Sequence, residues 1–320
     1  MSSRSLRAFL LTALLFLGAS SLFADYTPAE TLLRQGRVDE AGNVLRQTLA
    51  AKADARTHLL LCRVYYSQDM ADAAVRECEM ATTMDPSNSD FQFWLGRAYG
   101  LKASQASMLS AFSIAKKVRN AFERAVQLDP TNTAAMSALG EFYVQAPGIV
   151  GGGLDKAQAL APKLMAISPA KGHRLLGLIA DKQNDAARAE AEFKTAVAAG
   201  HAPEAWVDLA EFYQRRGQAD KAYAALQASI EANHAKDASL VDVASLLTTL
   251  NRSPELAERV LRDYLASGTK SDDAPAFKVH VQLGELLKKR GDSAEARREF
   301  EAALALASNY VPARKALQGV

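Results

Sequence analysis

The residues of this 320-residue chain that could do chemistry are few and scattered. There are two cysteines, Cys62 and Cys78, and five histidines, His58, His173, His201, His234 and His280. Two cysteines sixteen positions apart are a poor zinc set, and a Cys-x-x-Cys redox motif is absent. No His-x-x-x-His or His-Glu-x-x-His spacing occurs, so no metal site is expected. Serine, histidine and aspartate are all present, but no Gly-x-Ser-x-Gly elbow exposes a nucleophile. The segment Ala146-Pro147-Gly148-Ile149-Val150-Gly151-Gly152-Gly153 invites an anion-binding reading, since clustered N–H groups ahead of a helix can cradle a phosphate. A phosphate loop needs Gly-Lys followed by Ser or Thr, whereas Lys156 lies between Asp155 and Ala157 with no strand pattern around it. The segment therefore reads as a turn between helices. No catalytic residue and no cofactor is expected, and the chain reads as non-enzymatic.

The N-terminus sets the expected location. Arg4 and Arg7 precede an apolar run from Ala8 to Leu17, followed by small residues up to Ala24, the layout of a secretory leader. The apolar stretch is too short for a comfortable membrane span. The expectation is a signal peptide over 1–24, cleaved after Ala24, and a periplasmic or secreted protein. Removing Arg4 and Arg7 from 38 basic residues leaves 36, matching the 36 acidic ones. A neutral chain lacks the basic excess that phosphate neutralisation requires, so nucleic acid is not an expected partner.

The elements must be helices. The chain is 49% hydrophobic, carried mostly by alanine and leucine, with only 7% aromatic residues, a composition suited to close-packed helices. Its clearest unit is Trp206-x-x-Leu209-Ala210-x-x-Tyr213, followed by Gly217, Ala222, Leu226 and Ser229. The leucine and small-residue pair recurs as Leu61-Cys62, Leu95-Gly96, Leu139-Gly140, Leu176-Gly177 and Leu283-Gly284. Two units close with Asp85-Pro86-Ser87-Asn88 and Asp129-Pro130-Thr131-Asn132, where proline stops one helix and asparagine is placed to cap the next. This pattern resembles the tetratricopeptide repeat. The resemblance implies an all-α α-solenoid of about eight helix-turn-helix units over 25–320, wound as a right-handed superhelix. A closing helix is expected from Pro312 to Leu317.

The register breaks twice. Leu95 to Pro130 is 35 residues where the pattern predicts about 25, placing about ten extra residues within 102–118. Leu139 to Pro169 is 30, placing about five extra within 146–153. Lengthened third-unit helices followed by Pro147-Gly148-x-x-Gly151-Gly152 are similar to a set of exported bacterial tetratricopeptide proteins. The second break is expected to join a lengthened first helix to its partner.

Placed on the repeat, Cys62 takes the small position of a first helix and Cys78 the large position of the second, so the two face each other. They are either a disulfide, as an oxidising compartment permits, or two buried thiols. His58, His173 and His280 fall at one repeated first-helix position. The resemblance further implies a concave groove lined by first helices. Carried onto this chain, its lining includes Arg56, Arg63, Tyr66, Phe93, Trp94 and Arg97, a composition typical of binding hot spots. The competing reading packs Phe93 and Trp94 between neighbouring helices. The expected function is a scaffold holding a protein or peptide partner in that groove. The alternative is a lipid or apolar-ligand carrier, or a membrane-surface adaptor, using the apolar insertion from Met108 to Ile114.

Overall fold

The computed structural model describes residues 27–268 and 270–320. The expected leader and its cleavage point lie outside the described residues. Within them the chain forms seventeen α-helices and one short 3-10 turn, with no strand among the described residues. Eight antiparallel pairs follow in order: α1 (Thr27–Arg34) with α2 (Val38–Ala51), α3 (Ala55–Ser67) with α4 (Ala71–Met84), and α5 (Ser89–Gln105) with α6 (Met108–Leu128). Next come α7 (Thr133–Gln145) with α8 (Leu154–Ile167), α9 (Pro169–Lys182) with α10 (Ala186–Gly200), and α11 (Pro203–Arg215) with α12 (Ala219–Ala232). The last two are α13 (Ser239–Thr249) with α14 (Pro254–Ala266) and α15 (Ala276–Arg290) with α16 (Ser293–Leu306). Helix α17 (Val311–Gln318) closes the array.

Local chemistry sets the helix ends. Asn88 accepts hydrogen bonds from the amides of Asp90 and Phe91, and Asn132 from that of Ala135, so both asparagines cap the helices they precede. Proline opens α9, α11 and α14, where its missing N–H costs nothing. Six of the turns inside pairs take a left-handed residue just after the first helix, Gly36, Gly217 and Gly291 in three pairs and Asp69, Asn184 and Asn251 in three others.

Several pairs are held by one small residue against one large. A Cβ on Gly284 would lie 2.4 Å from the Phe300 ring, and one on Gly177 would lie 3.0 Å from Phe193. In both pairs the partners are sixteen residues apart. Cys62 and Cys78 occupy the equivalent places and are joined as a disulfide. In the third pair Gly96 meets Phe122, at a separation of 26. The ten extra residues therefore lengthen both helices, to 17 residues in α5 and 21 in α6, and leave the meeting point intact. The fourth pair differs from expectation. Helix α7 has 13 residues, the same as α3, so the extra residues lie wholly in the connection to α8.

The apolar stripes form a nearly continuous core along the array, and the array returns on itself. Phe277 of α15 is fully buried in one cluster with Leu33, Leu60 and Leu61 of the first two pairs and with Tyr310 ahead of α17. The Phe277 and Tyr310 rings meet edge-on at 4.8 Å. Burying a side chain of that size contributes roughly 2–3 kcal/mol. The turn after α1 fits equally closely, for a Cβ on Gly36 would come 2.7 Å from the Cβ of Ala276. The last pair thus seals against the first two.

Candidate functional site

Helices α3 and α5 put Arg63, Tyr66, Phe93, Trp94 and Arg97 together on the inner side of this closure. The Arg97 guanidinium lies 4.3 Å from the Trp94 ring centroid and 4.6 Å from that of Tyr66, while Arg63 lies 5.3 Å from Trp94. Trp94 also meets Tyr66 edge-on at 5.6 Å. Such stacking fixes the planar cations while leaving their N–H groups free to donate. Phe93 meets Trp94 edge-on at 6.1 Å, lies 5.7 Å from the Arg97 guanidinium carbon and packs on Phe122 at 6.0 Å, so it belongs both to the cluster and to the packing between helices. Arg56 stands apart from the cluster, paired with Glu30 of α1.

The loop between α14 and α15 occupies the cluster. Both Nε and Nη2 of Arg63 donate to Asp272 Oδ2, at 3.1 and 2.8 Å. Arg97 pairs with Asp273 and also donates to the Tyr66 hydroxyl at 3.0 Å, and that hydroxyl donates to Asp273 at 3.1 Å. Burial alone would weaken the charge on Arg97. Asp273 and Tyr66 outweigh it, and the guanidinium holds its proton more tightly than usual. Burial pushes the Tyr66 hydroxyl up as well. The loop is itself anchored: Tyr264 donates to the carbonyl of Ala274 at 2.6 Å and accepts from the amide of Ser271 at 3.0 Å. Nearby, Lys278 donates to Asp69 at 2.6 Å and Tyr310 to the same carboxylate at 3.1 Å.

Asp272, Asp273 and Asp69 are the residues that sequence reasoning missed. Their partners are 176 to 241 positions away, a distance no repeat spacing reports. The one available signal was the acidic doublet Asp272-Asp273 in the linker after the seventh pair.

The opposite wall has a different character. Glu141, Glu204, Asp208, Glu211 and Asp242 line a cavity of about 450 Å³ with Lys171 and Arg174. Arg174 pairs with Asp208 at 2.7 Å and Glu141 at 3.3 Å. Asp242 keeps contact with solvent, but its place in the concavity costs it hydration, and Glu211, Asp273, Asp208 and Asp237 repel its charge. Its carboxyl is pushed up to about 6. Burial and Asp208 raise Glu211 too.

The glycine segment is spoken for internally. The amides of Gly151, Gly152 and Gly153 donate to the carbonyls of Gly148, Pro147 and Tyr143, and Lys156 donates to the carbonyl of Gly151 at 2.9 Å. A Cβ at Gly152 would overlap the carbonyl oxygen of Ala146, so close backbone approach is what this glycine serves. The repeated histidines are likewise matched. His58, His173 and His280 bond through Nδ1 to Glu77, Glu192 and Glu299 at 2.7, 2.8 and 2.6 Å, each nineteen residues on.

Two family profiles, both described as tetratricopeptide repeat, match the sequence, one at residues 26–89 and the other at 203–235 and 277–310. These segments correspond to the first two helix pairs, the sixth and the eighth. The chain belongs to the tetratricopeptide repeat family. Yeast Tom70 shares its fold at 19% identity and a TM-score of 0.54, over 88% of this chain and 57% of that one. A thermophilic tetratricopeptide protein from Thermus thermophilus is 25% identical over 61% of this chain and 99% of its own, with a TM-score of 0.46. No curated protein matches the sequence. Tetratricopeptide repeats generally form scaffolds for protein–protein interaction, and it is the first helices α3 and α5 of this array that carry the arginine and aromatic cluster.

Proposed function

We propose that this chain is an exported, non-enzymatic tetratricopeptide scaffold whose arginine and aromatic cluster captures an acidic segment of a protein partner. The observation that carries the reading is the seating of Asp272 and Asp273 on Arg63, Arg97 and Tyr66. A stretch of this chain's own backbone, bearing two consecutive carboxylates, engages the cluster as a partner's acidic segment would. Arginine forks match carboxylates, and the aromatic floor keeps the forks in place. Export is supported by the leader-like N-terminus and by the disulfide between Cys62 and Cys78, a bond favoured in oxidising compartments.

The experiment is a titration by fluorescence anisotropy with a labelled peptide of sequence Ser-Asp-Asp-Ala-Pro. The Asp272→Asn/Asp273→Asn protein, its cluster released from its own loop, is expected to bind at least tenfold more tightly than the wild type. Adding Arg63→Ala and Arg97→Ala should abolish that gain. Equal binding with and without the arginines, or no binding by any form, rules the reading out.

A further inference from the structure

The two interruptions of the array together form a different surface. Helices α5 and α6 outrun their neighbours, and their connection projects at one end of the stack beside the glycine loop of the next pair. At this tip Met108, Leu109 and Ile149 are 79%, 86% and 76% exposed, the most exposed large apolar side chains among the described residues. They are continuous with a shallow apolar cavity of about 320 Å³ lined by Met108, Phe112, Ala115, Phe142, Pro147 and Val150. Leaving such side chains together in water is unfavourable, and a contiguous patch of this kind marks a contact surface.

Its charge says what it contacts. Between Asp90 and Glu123 the sequence has five cations, Arg97, Lys102, Lys116, Lys117 and Arg119, and no acid. Arg97 is turned inward to Asp273, and Lys102 pairs with Asp72 of the preceding pair at 2.9 Å. Arg119 donates to the Val150 carbonyl. Lys116 and Lys117 are exposed and make no ion pair among the described residues, Lys117 lying 5.1 Å from the centre of the Tyr99 ring, and Lys156 adds a cation beside the loop. A projecting apolar tip with a cationic collar complements a bilayer. The apolar side chains enter the boundary between headgroups and acyl chains, while the long lysine stems reach the phosphates.

We propose that the tip formed by Met108, Leu109, Phe112 and Ile149 docks this protein onto an anionic lipid surface. This site is separate from the arginine cluster and does not depend on the reading given to it.

The test is sedimentation of the full chain with vesicles of phosphatidylcholine alone and with one quarter phosphatidylglycerol. The wild type is expected to partition at least tenfold more strongly onto the anionic vesicles. Leu109→Asp/Ile149→Asp should lose at least tenfold of that binding, and Lys116→Glu/Lys117→Glu should remove the preference for phosphatidylglycerol, both with an unchanged circular dichroism spectrum. All variants keep the apolar segment 8–17, so a local readout accompanies them. Phe112→Trp should add fluorescence that lipids brominated on their acyl chains quench. Undiminished binding of the Asp variant, an absence of quenching, or a tip-dependent dimer formed without lipid would overturn the proposal.

Discussion

On the wall made by α3 and α5, each inward arginine meets a carboxylate delivered by the α14–α15 loop, whereas on the wall made by α7, α9, α11 and α13 five carboxylates surround Arg174 and Lys171. The first wall is electrostatically closed. The second carries excess negative charge, and Asp242 records it by holding its proton to about pH 6. Both are built from the same first-helix positions, so repeat geometry supplies the surface while the identity of a few side chains decides whether it is neutralised from within. The walls also communicate, since Asp273, seated on Arg97, is among the charges that raise Asp242.

Four changes break or sharpen this contrast. The α3–α4 pair behind the arginine wall is tied by the disulfide, which closes a loop between positions 62 and 78. Replacing both cysteines by serine should cost about 3 kcal/mol, read as a lowered urea midpoint, with reductant producing a like shift in the wild type alone. Arg174→Ala should cost about 2–3 kcal/mol at neutral pH, because Asp208 and Glu141 lose their cation in an already acidic wall. Arg97→Ala should cost less, about 1 kcal/mol, since Asp273 is mostly exposed and can return to water. Thermal melts of the two arginine variants compare them directly, and a larger loss for Arg97→Ala would contradict the distinction drawn between the walls.

The smallest effect has the opposite sign. The Asp242 carboxyl ionises near 6 in the folded chain and near 3.9 when unfolded, so between those values the folded state binds more protons. Its charge therefore opposes folding fully above pH 6, and the penalty fades as pH falls toward 4. Asp242→Asn should stabilise the protein by about 1 kcal/mol or less at pH 7.5, the side chain being partly hydrated, and by nothing at pH 4. Equal melting temperatures for the variant and the wild type at both pH values would mean that the crowding of carboxylates has no energetic consequence.

Much of the architecture could be read directly from spacing. The leucine and small-residue pairs located the first helices, and the Asp-Pro-x-Asn segments located helix ends, because these features depend on neighbours within one or two turns of chain. The break between Leu95 and Pro130 located the elongated pair. The break before Pro169 was visible too, but it is a longer connection rather than a lengthened helix, since composition does not say whether extra residues continue a helix or leave it. Gly152, pressed against the Ala146 carbonyl, fixes the loop instead. Arg63, Tyr66, Phe93, Trp94 and Arg97 could be named together because they fall on first helices, Arg63 and Arg97 at the same place in successive units, and Arg56 could not be separated from them because its partner Glu30 lies in another pair. The spacing of nineteen between His58, His173 and His280 and their glutamates was visible in the sequence, but its meaning needed the antiparallel pairing to bring the two positions together.

By itself the sequence determined that this is an all-helical tetratricopeptide array, where its units begin and where they are interrupted. These are local properties, set by periodicity, capping and the matching of small residues to large ones. Tertiary structure alone decided that the eighth pair seals against the first two, and that Asp272 and Asp273 occupy the cluster of Arg63, Tyr66 and Arg97. Small rotations between successive pairs accumulate over the whole array before its ends meet, and no single repeat encodes that sum.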